Sequence, residues 1–352
     1  MDHFDYLILG QGLAGSTLAW QLIWRGKSVC VVDPVDEVTS SKIAAGLLTP
    51  LTGKRLVKTE GWDDYWPLAK HFYQQVERFT QASILTLAPM VRIFTEQKEL
   101  QRFEAQLQVE PHLLRSDPSS TLDPNDFEQP HGSFEMPVAG VLNCPEYLQA
   151  TRDYLRSQQR FLTDRLDLSE DIELLRDRVY VPRWKLTACQ LISCTGHQER
   201  RNPRLLADWL PAKGEILTLR IPGLQETRVV HRGIWLARCG NEIYRAGSTY
   251  EWKELDSAPT QAGRELILKR LKEFLKRDFE IVDHRAAIRP ILRDLKPAIG
   301  LAPDLPQLGF FNGLGTKGAL YAPLVSLHFA NFLIDATPIP TQLSWTRFGS
   351  AH

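Results

Sequence analysis

Residues 6–33, YLILGQGLAGSTLAWQLIWRGKSVCVVD, decide the class of fold. They read as a strand, a tight turn, a helix and a second strand, with Gly26 suited to the exit of the helix. The second strand carries Val29, Val31 and Val32, and such an apolar, β-branched run is typical of a strand buried on both faces. We therefore predict an α/β fold that begins with a β-α-β unit.

Three glycines in this turn form the pattern GxGxxG. Gly10 permits the tight turn, Gly12 lets the backbone approach a pyrophosphate, and Gly15 lets helix and strand pack closely. The helix start adds N–H donors and the positive end of its dipole. Asp33 ends the second strand, where a carboxylate accepts hydrogen bonds from ribose hydroxyls and disfavours the 2′-phosphate of NADP. The unit predicts a dinucleotide, NAD or FAD, bound by Gly10, Gly12, Leu13, Ala14, Gly15 and Asp33.

Composition bounds the function only broadly. The 352 residues include 42 Lys or Arg and 42 Asp or Glu, so total charge gives no support for nucleic-acid binding, although a local basic face is compatible with it. No apolar run approaches the roughly 20 residues that span a bilayer, and the first strand leaves no room for a signal peptide. The five cysteines lack CxxC spacing. We expect a soluble cytoplasmic protein with reduced, mostly buried thiols and no metal site.

The middle of the chain indicates a second domain. Apolar residues recur at helical spacing from Trp62 to Phe79, which predicts a core helix with Pro67 in its first turn or at a kink. Strand-like segments follow between residues 90 and 142 and again between 215 and 250. We predict a dinucleotide-binding domain from residues 1–80, 143–212 and 294–352, and a mixed-sheet, α+β substrate domain from residues 81–142 and 213–293.

Three further small-residue turns favour FAD over NAD. They are SSKIAAGLLTP at 40–50, QLISCTGHQ at 190–198 and FFNGLGTKGALYAPLVSLHFANFLI at 310–334. Small residues let backbone amides approach a flat polar ring, and a helix start favours the negative charge that develops at flavin N1. The predicted contacts are Ser40, Ser41, Ala45, Gly46, Leu47, Thr195, Gly196, Gly313, Leu314, Gly315, Thr316, Lys317 and Gly318.

Four more segments complete a family resemblance: GVLNCPEYL at 140–148, PAKGEILTLRI at 211–221, IYRAGSTYEW at 243–252 and AAIRPILRDLKPAIG at 286–300. Over nearly its whole length the sequence resembles the D-amino-acid oxidase superfamily of FAD-dependent oxidoreductases. The resemblance implies a Rossmann-like FAD domain of discontinuous segments beside a mixed sheet that roofs the flavin. Glycine oxidases share the KGE and RPxxxDxxPxIG patterns. The oxidase domain of the bifunctional enzyme that modifies wobble uridine in tRNA is similar in the AAGLLTPL and GLGTKGALYAPL segments.

The resemblance also suggests three residues for the chemistry. Arg289 matches the position where amino-acid oxidases hold the substrate carboxylate, a task suited to its planar fork; the alternative is a structural ion pair with Asp294. Tyr250 and Tyr244 are candidate walls of the substrate site, although an aromatic residue on a strand more often packs in a core. Lys317 is a candidate for stabilising reduced flavin near N1 or contacting the substrate, and solvent exposure is equally compatible with its position.

The implied activity is oxidation of the C–N bond of a small amine or amino acid, by hydride transfer to FAD and then to oxygen or another acceptor. Ile234 stands where glycine oxidase-like enzymes carry a tyrosine, so the substrate stays unassigned. Lys42 follows Ser40 and Ser41, where some relatives attach flavin covalently, which favours non-covalent FAD. One alternative is a tRNA-modifying oxidase acting on carboxymethylaminomethyl uridine; another is a flavoprotein without turnover. The tRNA alternative needs a basic rim, for which the candidates are Arg200, Arg201, Arg204, Arg228, Arg232 and Arg245.

Overall fold

The first large sheet contains the predicted β-α-β unit. The computed structural model describes residues 2–53, 55–117, 121–202 and 207–348. Within these ranges the sheet has eight strands: β1 (His3–Leu9), β2 (Val29–Val32), β10 (Phe161–Leu162), β11 (Glu173–Leu174), β12 (Val179–Val181), β13 (Leu186–Ser193), β19 (Ala298–Ala302) and β20 (Leu305–Asn312). Strands β10, β2, β1, β13 and β20 run parallel. Leu7, Val31 and Leu191 in these strands are fully buried, as expected where helices cover a parallel sheet.

Helices pack against this sheet through large apolar side chains. The helices of this part of the chain are α1 (Leu13–Trp24), α2 (Ser40–Ile43), α3 (Trp62–Thr80), α5 (Cys144–Ser157) and α7 (Gly318–Asp335). The hydroxyl of Tyr73 in α3 donates to the carbonyl of Ala319 in α7 at 2.7 Å, and Trp20 Nε1 donates to Thr151 Oγ1 at 3.0 Å, joining α1 to α5. The predicted core helix is therefore confirmed, except that Phe79 at its end is 51% exposed.

The second large sheet is mostly antiparallel. Its strands, in spatial order, are β18 (Glu280–Arg289), β14 (Ala212–Arg220), β17 (Ile243–Gly247), β16 (Ile234–Arg238), β15 (Val229–Arg232), β7 (Met90–Ile93) and β8 (Ser133–Met136). Only β15 and β7 pair in parallel among these described strands. Helix α6 (Gln261–Leu271) packs Ile267 and Leu271 into one core with Leu217 and Leu236 of this sheet. Helix α4 (Gln97–Val109) follows β7 along the chain.

Short strands pin the turn that follows α2. A three-stranded sheet is formed by β3 (Leu47–Leu48), β9 (Gly140–Leu142) and β6 (Leu85–Thr86), and a hairpin by β4 (Leu51–Thr52) and β5 (Val57–Lys58). Gly46 enters β3 with φ of 69°, and a Cβ there would lie 1.9 Å from the carbonyl oxygen of Leu142. Only glycine therefore lets this turn lie so close to β9. The 3₁₀ helices are Pro182–Trp184, Gly196–Arg201, Thr341–Leu343 and Trp345–Phe348.

The α/β class with a mixed second sheet is confirmed. The first sheet takes its strands from residues 3–32, 161–193 and 298–312, and the second from residues 90–136 and 212–289. The predicted domain boundaries themselves stay a prediction. No helix in the described part of the chain has the length and apolar character needed to cross a membrane. Cys30, Cys144 and Cys194 are buried free thiols, while Cys189 and Cys239 are exposed ones.

Candidate active site

A cavity of about 520 Å³ is lined by both halves of the fold. The start of α1, the turn after α2 and the start of α7 contribute to one side. The second large sheet contributes Ile216, Trp235 and Ala287 to the other. Its walls thus come from segments far apart in the sequence, which only the folded chain brings together.

The start of α1 is built to receive an anion. A Cβ on Gly15 would lie 1.9 Å from the carbonyl oxygen of Gly10, and one on Gly12 would lie 2.9 Å from Ser41 Oγ. Ser41 Oγ also accepts from the N–H of Leu13 at 3.1 Å. The N-cap residue of α1, Gly12, has no side chain to cap the helix. Because Ser41 engages the N–H of Leu13, the N–H groups of Ala14 and Gly15 are the ones that remain available to a ligand, as in pyrophosphate sites at helix N-termini.

Asp33 is engaged by backbone groups beside this turn. Its two carboxylate oxygens accept from the N–H groups of Gln11 and Val35, each at 2.7 Å. The carboxylate therefore holds the glycine turn against the end of β2, and it does not line the cavity itself. Its predicted contact with a ribose stays a prediction.

The other predicted cofactor contacts divide into two groups. Most line the cavity: Gly12, Leu13, Ala14, Ser40, Ser41, Ala45, Gly46, Leu47, Gly196, Leu314, Gly315, Thr316, Lys317 and Gly318. Gly10, Gly15, Thr195 and Gly313 lie in the same turns but outside the lining. Gly10, for example, packs against the backbone of the chain after β13 and so faces away from the cavity; a Cβ there would lie 2.6 Å from the carbonyl oxygen of Cys194. We interpret these residues as shaping the turns that carry the lining ones.

Lys317 places an ammonium group at the cavity, beside the start of α7. It is the N-cap residue of α7, and no side chain caps this helix. Its Nζ lies 3.3 Å from Thr59 Oγ1 and 5.9 Å from the ring centroid of Tyr321. Burial lowers the pKa of Lys317, against an opposing effect of Glu60. A helix N-terminus and an ammonium group thus face the same space, which favours an anionic or electron-rich group there.

Arg289, at the end of β18, lines the cavity without an acidic partner among the described residues. Its Nη2 donates to Ser248 Oγ at 2.8 Å, and its Nη1 donates to the carbonyl of Thr249 at 3.2 Å. Burial lowers the pKa of this guanidinium, which nevertheless stays charged. The alternative ion pair with Asp294 is wrong, because Asp294 accepts from Arg347 Nε at 2.7 Å.

The two tyrosine candidates differ. Tyr250 lines the cavity, with the guanidinium carbon of Arg289 4.4 Å from its ring centroid. Its ring stacks on Trp252 at 5.7 Å. Tyr244 is buried under the other face of the sheet, where its hydroxyl donates to the carbonyl of Leu224 at 2.8 Å. Tyr244 therefore packs in the core, which is the alternative expected for a strand aromatic, and does not line the cavity.

Several lining residues were not predicted, among them Arg92, His231 and Gly214. Arg92 is buried; its Nη1 donates to the carbonyl of Gly53 at 2.8 Å and its Nη2 to Glu99 at 3.2 Å. Burial lowers the pKa of His231 to about 3, and Arg92 acts in the same direction. Sequence patterns mark their strands but not the cavity that the strands face, since that depends on long-range pairing. Of these three, only Gly214, in the KGE segment, belongs to a motif that carries the family resemblance.

Two helix N-termini that keep N–H groups available to a ligand, together with close glycine turns around one cavity, define a flavin dinucleotide-binding protein. Residues 5–331 match the FAD dependent oxidoreductase (DAO) family. The chain belongs to this family, and its cofactor is FAD, as predicted. The glycine-lined starts of α1 and α7 are the elements that fit the pyrophosphate and the ring.

Solved structures of other members share the fold. Glycine oxidase from Geobacillus kaustophilus superposes with a TM-score of 0.79 at 18% identity, covering 99% of both chains. Iminodiacetate oxidase from Chelativorans sp. BNC1 superposes with a TM-score of 0.78 at 17% identity, covering 98% of both chains. The tRNA 5-methylaminomethyl-2-thiouridine biosynthesis bifunctional protein of Acinetobacter baylyi is 22% identical over 97% of this chain and 54% of its own length. This chain thus spans about half of that relative.

Proposed function

We propose that this protein oxidises the C–N bond of a small amine or amino acid that carries a carboxylate. Bound FAD supplies the acceptor for the hydride equivalent. The observation that carries the proposal is Arg289, a part-buried cation that lines the cavity and has no carboxylate partner among the described residues. Holding such a charge away from water is costly unless a ligand anion compensates it.

The geometry around Arg289 leaves donors for that anion. Its guanidinium has five N–H donors. Three hydrogen bonds engage it: to Lys213 O, Thr249 O and Ser248 Oγ. Two of the five N–H donors therefore remain for a ligand, which suits a bidentate carboxylate. Tyr250 packs against the guanidinium, so the fork is held in place before a ligand arrives, which lowers the entropic cost of binding.

The charges of the cavity also favour an uncharged amine. Of the described residues, no Asp or Glu lines it, whereas Arg92, Arg289 and Lys317 do. An ammonium group would meet like charges without a counterion, which costs free energy. The amine therefore reacts in its neutral form, with its nitrogen lone pair available as the hydride leaves. No side-chain base is then needed for the chemical step.

Anaerobic mixing of the FAD-loaded protein with a panel of amino acids and N-substituted glycines tests this proposal. At least one compound is expected to bleach the visible flavin band, and replacing Arg289 by Met is expected to slow bleaching. Repeating the assay with oxygen or an artificial acceptor separates an oxidase from a dehydrogenase. If no amine in the panel reduces the flavin, a flavoprotein without turnover replaces this proposal.

A second candidate is an oxidase that acts on carboxymethylaminomethyl uridine in tRNA. The relative from Acinetobacter baylyi motivates it, and the carboxylate and secondary amine of this nucleoside would suit Arg289. The predicted basic rim is only partly available: Arg228 bonds to Glu226 at 2.7 Å and Glu135 at 3.1 Å, and Arg232 bonds to the carbonyl of Glu273. Arg204 lies outside the described residues. Absence of tRNA binding at low salt would eliminate this candidate.

A further inference from the structure

A second cavity, of about 630 Å³, adjoins the first. The two share Ala44, Ala45 and Trp235 in their linings. We call the second one the basic groove, because in the described part of the chain its charged lining residues are Lys42, Arg152, Arg238 and Arg245 against one acid, Glu146. This excess of positive charge contrasts with the equal numbers of acidic and basic residues in the whole chain.

Arg152 and Lys42 have only neutral hydrogen-bond partners. Arg152 is 5% exposed, and its guanidinium donates to the amide oxygens of Gln11 and Gln149, each at 2.9 Å. Lys42 Nζ donates to backbone carbonyls, that of Val35 at 3.4 Å among them. The two cations lie near each other and both lie within the field of Asp33, so a bound anion would add to a charge compensation that is only partial.

Arg245 extends this charge onto the second large sheet, whereas the side chain of Arg238 in the neighbouring strand lies on the opposite face, since residues that pair across strands share a face. Arg238 is in β16 and pairs across the sheet with Tyr244, while Arg245 is in β17 and pairs with Ala237. Arg238 Nε donates to the carbonyl of Gly240 at 3.1 Å. The guanidinium of Arg245 makes no hydrogen bond or ion pair with any residue that the structure describes. Arg92 in β7 of the same sheet is, by contrast, paired with Glu99 at 3.2 Å.

We propose that the basic groove binds phosphate groups, with Arg245 as its principal ligand. A single guanidinium suffices for one carboxylate, whereas three cations in one groove, Lys42, Arg152 and Arg245, match the several oxygens and higher charge of phosphates. The volume of about 630 Å³ exceeds what one inorganic phosphate needs and accommodates a nucleotide. The phosphate can belong to an oligonucleotide or to a small phosphorylated compound. This site does not depend on the proposed C–N oxidation.

Fluorescence anisotropy on the FAD-loaded protein tests the groove. The probe is a labelled five-nucleotide uridine oligomer, and inorganic pyrophosphate is the competitor. Arg245→Gln is the test variant. Arg176→Gln is the control, because it makes the same change of charge in an exposed turn that lies outside both cavities. The flavin content of every variant is measured from its visible spectrum.

The wild type and Arg176→Gln are expected to bind the oligomer equally, and Arg245→Gln about tenfold more weakly. The slope of log affinity against log salt should fall by about 0.7 for each lost phosphate contact. Complete displacement by pyrophosphate identifies a small phosphorylated compound as the source, and resistance to it identifies an oligonucleotide; either result supports the site. The proposal is overturned if neither probe binds, if Arg245→Gln and Arg176→Gln bind alike, or if Arg245→Gln loses FAD.

Discussion

The guanidinium of Arg289 lies directly against Gly214, so that a Cβ on Gly214 would be 2.0 Å from Arg289 Nη2. Gly214 lies in β14 and faces Ala287 of β18 across the sheet. Because Gly214 in β14 has no side chain, there is room for the guanidinium of Arg289 at the end of the neighbouring β18. This relationship explains why glycine in the KGE segment and arginine in the AAIRP segment belong together.

Gly214→Ala should displace Arg289 without disturbing the cofactor. The added methyl group and the guanidinium cannot occupy the same space, so we expect at least a tenfold rise in KM for a carboxylate substrate, equal to about 1.4 kcal/mol. Flavin content should stay unchanged. Gly240→Ala is the control, because its Cβ would meet Ile243 at an ordinary 3.4 Å. Equal KM values for the two variants would contradict the steric argument.

Arg289→Met should leave thermal stability nearly unchanged. Replacing a part-buried cation that has no carboxylate partner by an apolar side chain removes a desolvation cost that offsets the lost hydrogen bonds. Arg347→Met is the comparison, because Arg347 is paired with Asp294 at 2.7 Å, and its loss should lower Tm by several degrees. Calorimetry of the FAD-loaded variants checks both. A large fall in Tm for Arg289→Met would instead indicate a structural role.

His231 should make the protein sensitive to acid. Burial lowers the pKa of His231 to about 3, below its ordinary value near 6.5. Between these values the unfolded chain binds a proton that the folded chain does not, so stability falls as the pH drops from about 6.5 towards 3. At pH 5 this difference in proton binding lowers the free energy of unfolding by about 2 kcal/mol.

Urea unfolding at pH 7 and pH 5 measures this effect. His231→Gln should lose less stability than the wild type over that interval, while His131→Gln, which removes an exposed imidazole, should behave like the wild type. The interpretation fails if His231→Gln and wild type show the same dependence on pH. The neighbouring Arg92 and Arg270 keep their charge throughout this pH interval, so the measured dependence on pH does not arise from them.

Lys317→Gln should lower the reduction potential of the bound flavin. A cation at the start of α7 stabilises the extra negative charge of the reduced ring. Removing this cation should lower the reduction potential by about 30 mV, or about 1.4 kcal/mol for two electrons. Equilibration with a redox dye of known potential gives the value. Lys253→Gln, at an exposed position, is the control. An unchanged potential in Lys317→Gln would leave this lysine with a substrate or structural role.

Acid precipitation tests the prediction that FAD is held without a covalent bond. The residue after Ser40 and Ser41 is Lys42, and its Nζ is bonded to the carbonyls of Val35 and Asp36. The yellow colour should therefore pass into the supernatant when the protein is denatured by trichloroacetic acid. Colour that stays with the pellet would reveal an attachment that these residues do not predict.

Local signals predicted the cofactor, FAD, and the glycine turns that lie at the cavity, while the contacts of individual residues with FAD stay a prediction. The turn from Gly10 to Gly15 needs small residues at fixed short spacing, and steric contacts such as Gly15 with Gly10 arise within that spacing. A short-range pattern therefore carries the information. Arg289 was found differently, through family resemblance, and its alternative partner Asp294 was close in sequence but bonds to Arg347 instead.

The substrate half could not be predicted to the same extent. Arg92 and His231 meet because β7 and β15 pair in parallel, although they are far apart in the sequence. Period-two patterns identify such strands but not which strand becomes the neighbour. Tyr244 illustrates the consequence: it lies on a predicted strand, and the register of β17 turns it towards α6 and away from the cavity. The cations of the basic groove likewise come from three separate segments.

Stopped-flow reduction of the flavin by a matched pair of substrates tests the central claim most directly. The pair is an N-substituted glycine and its primary amide, which differ only in the carboxylate that Arg289 is proposed to bind. Wild-type protein should be reduced at least a hundredfold more efficiently by the acid, about 2.7 kcal/mol, and Arg289→Met should lose that preference. Equal reduction of the wild type by acid and amide, or a preference that survives in Arg289→Met, would contradict the account.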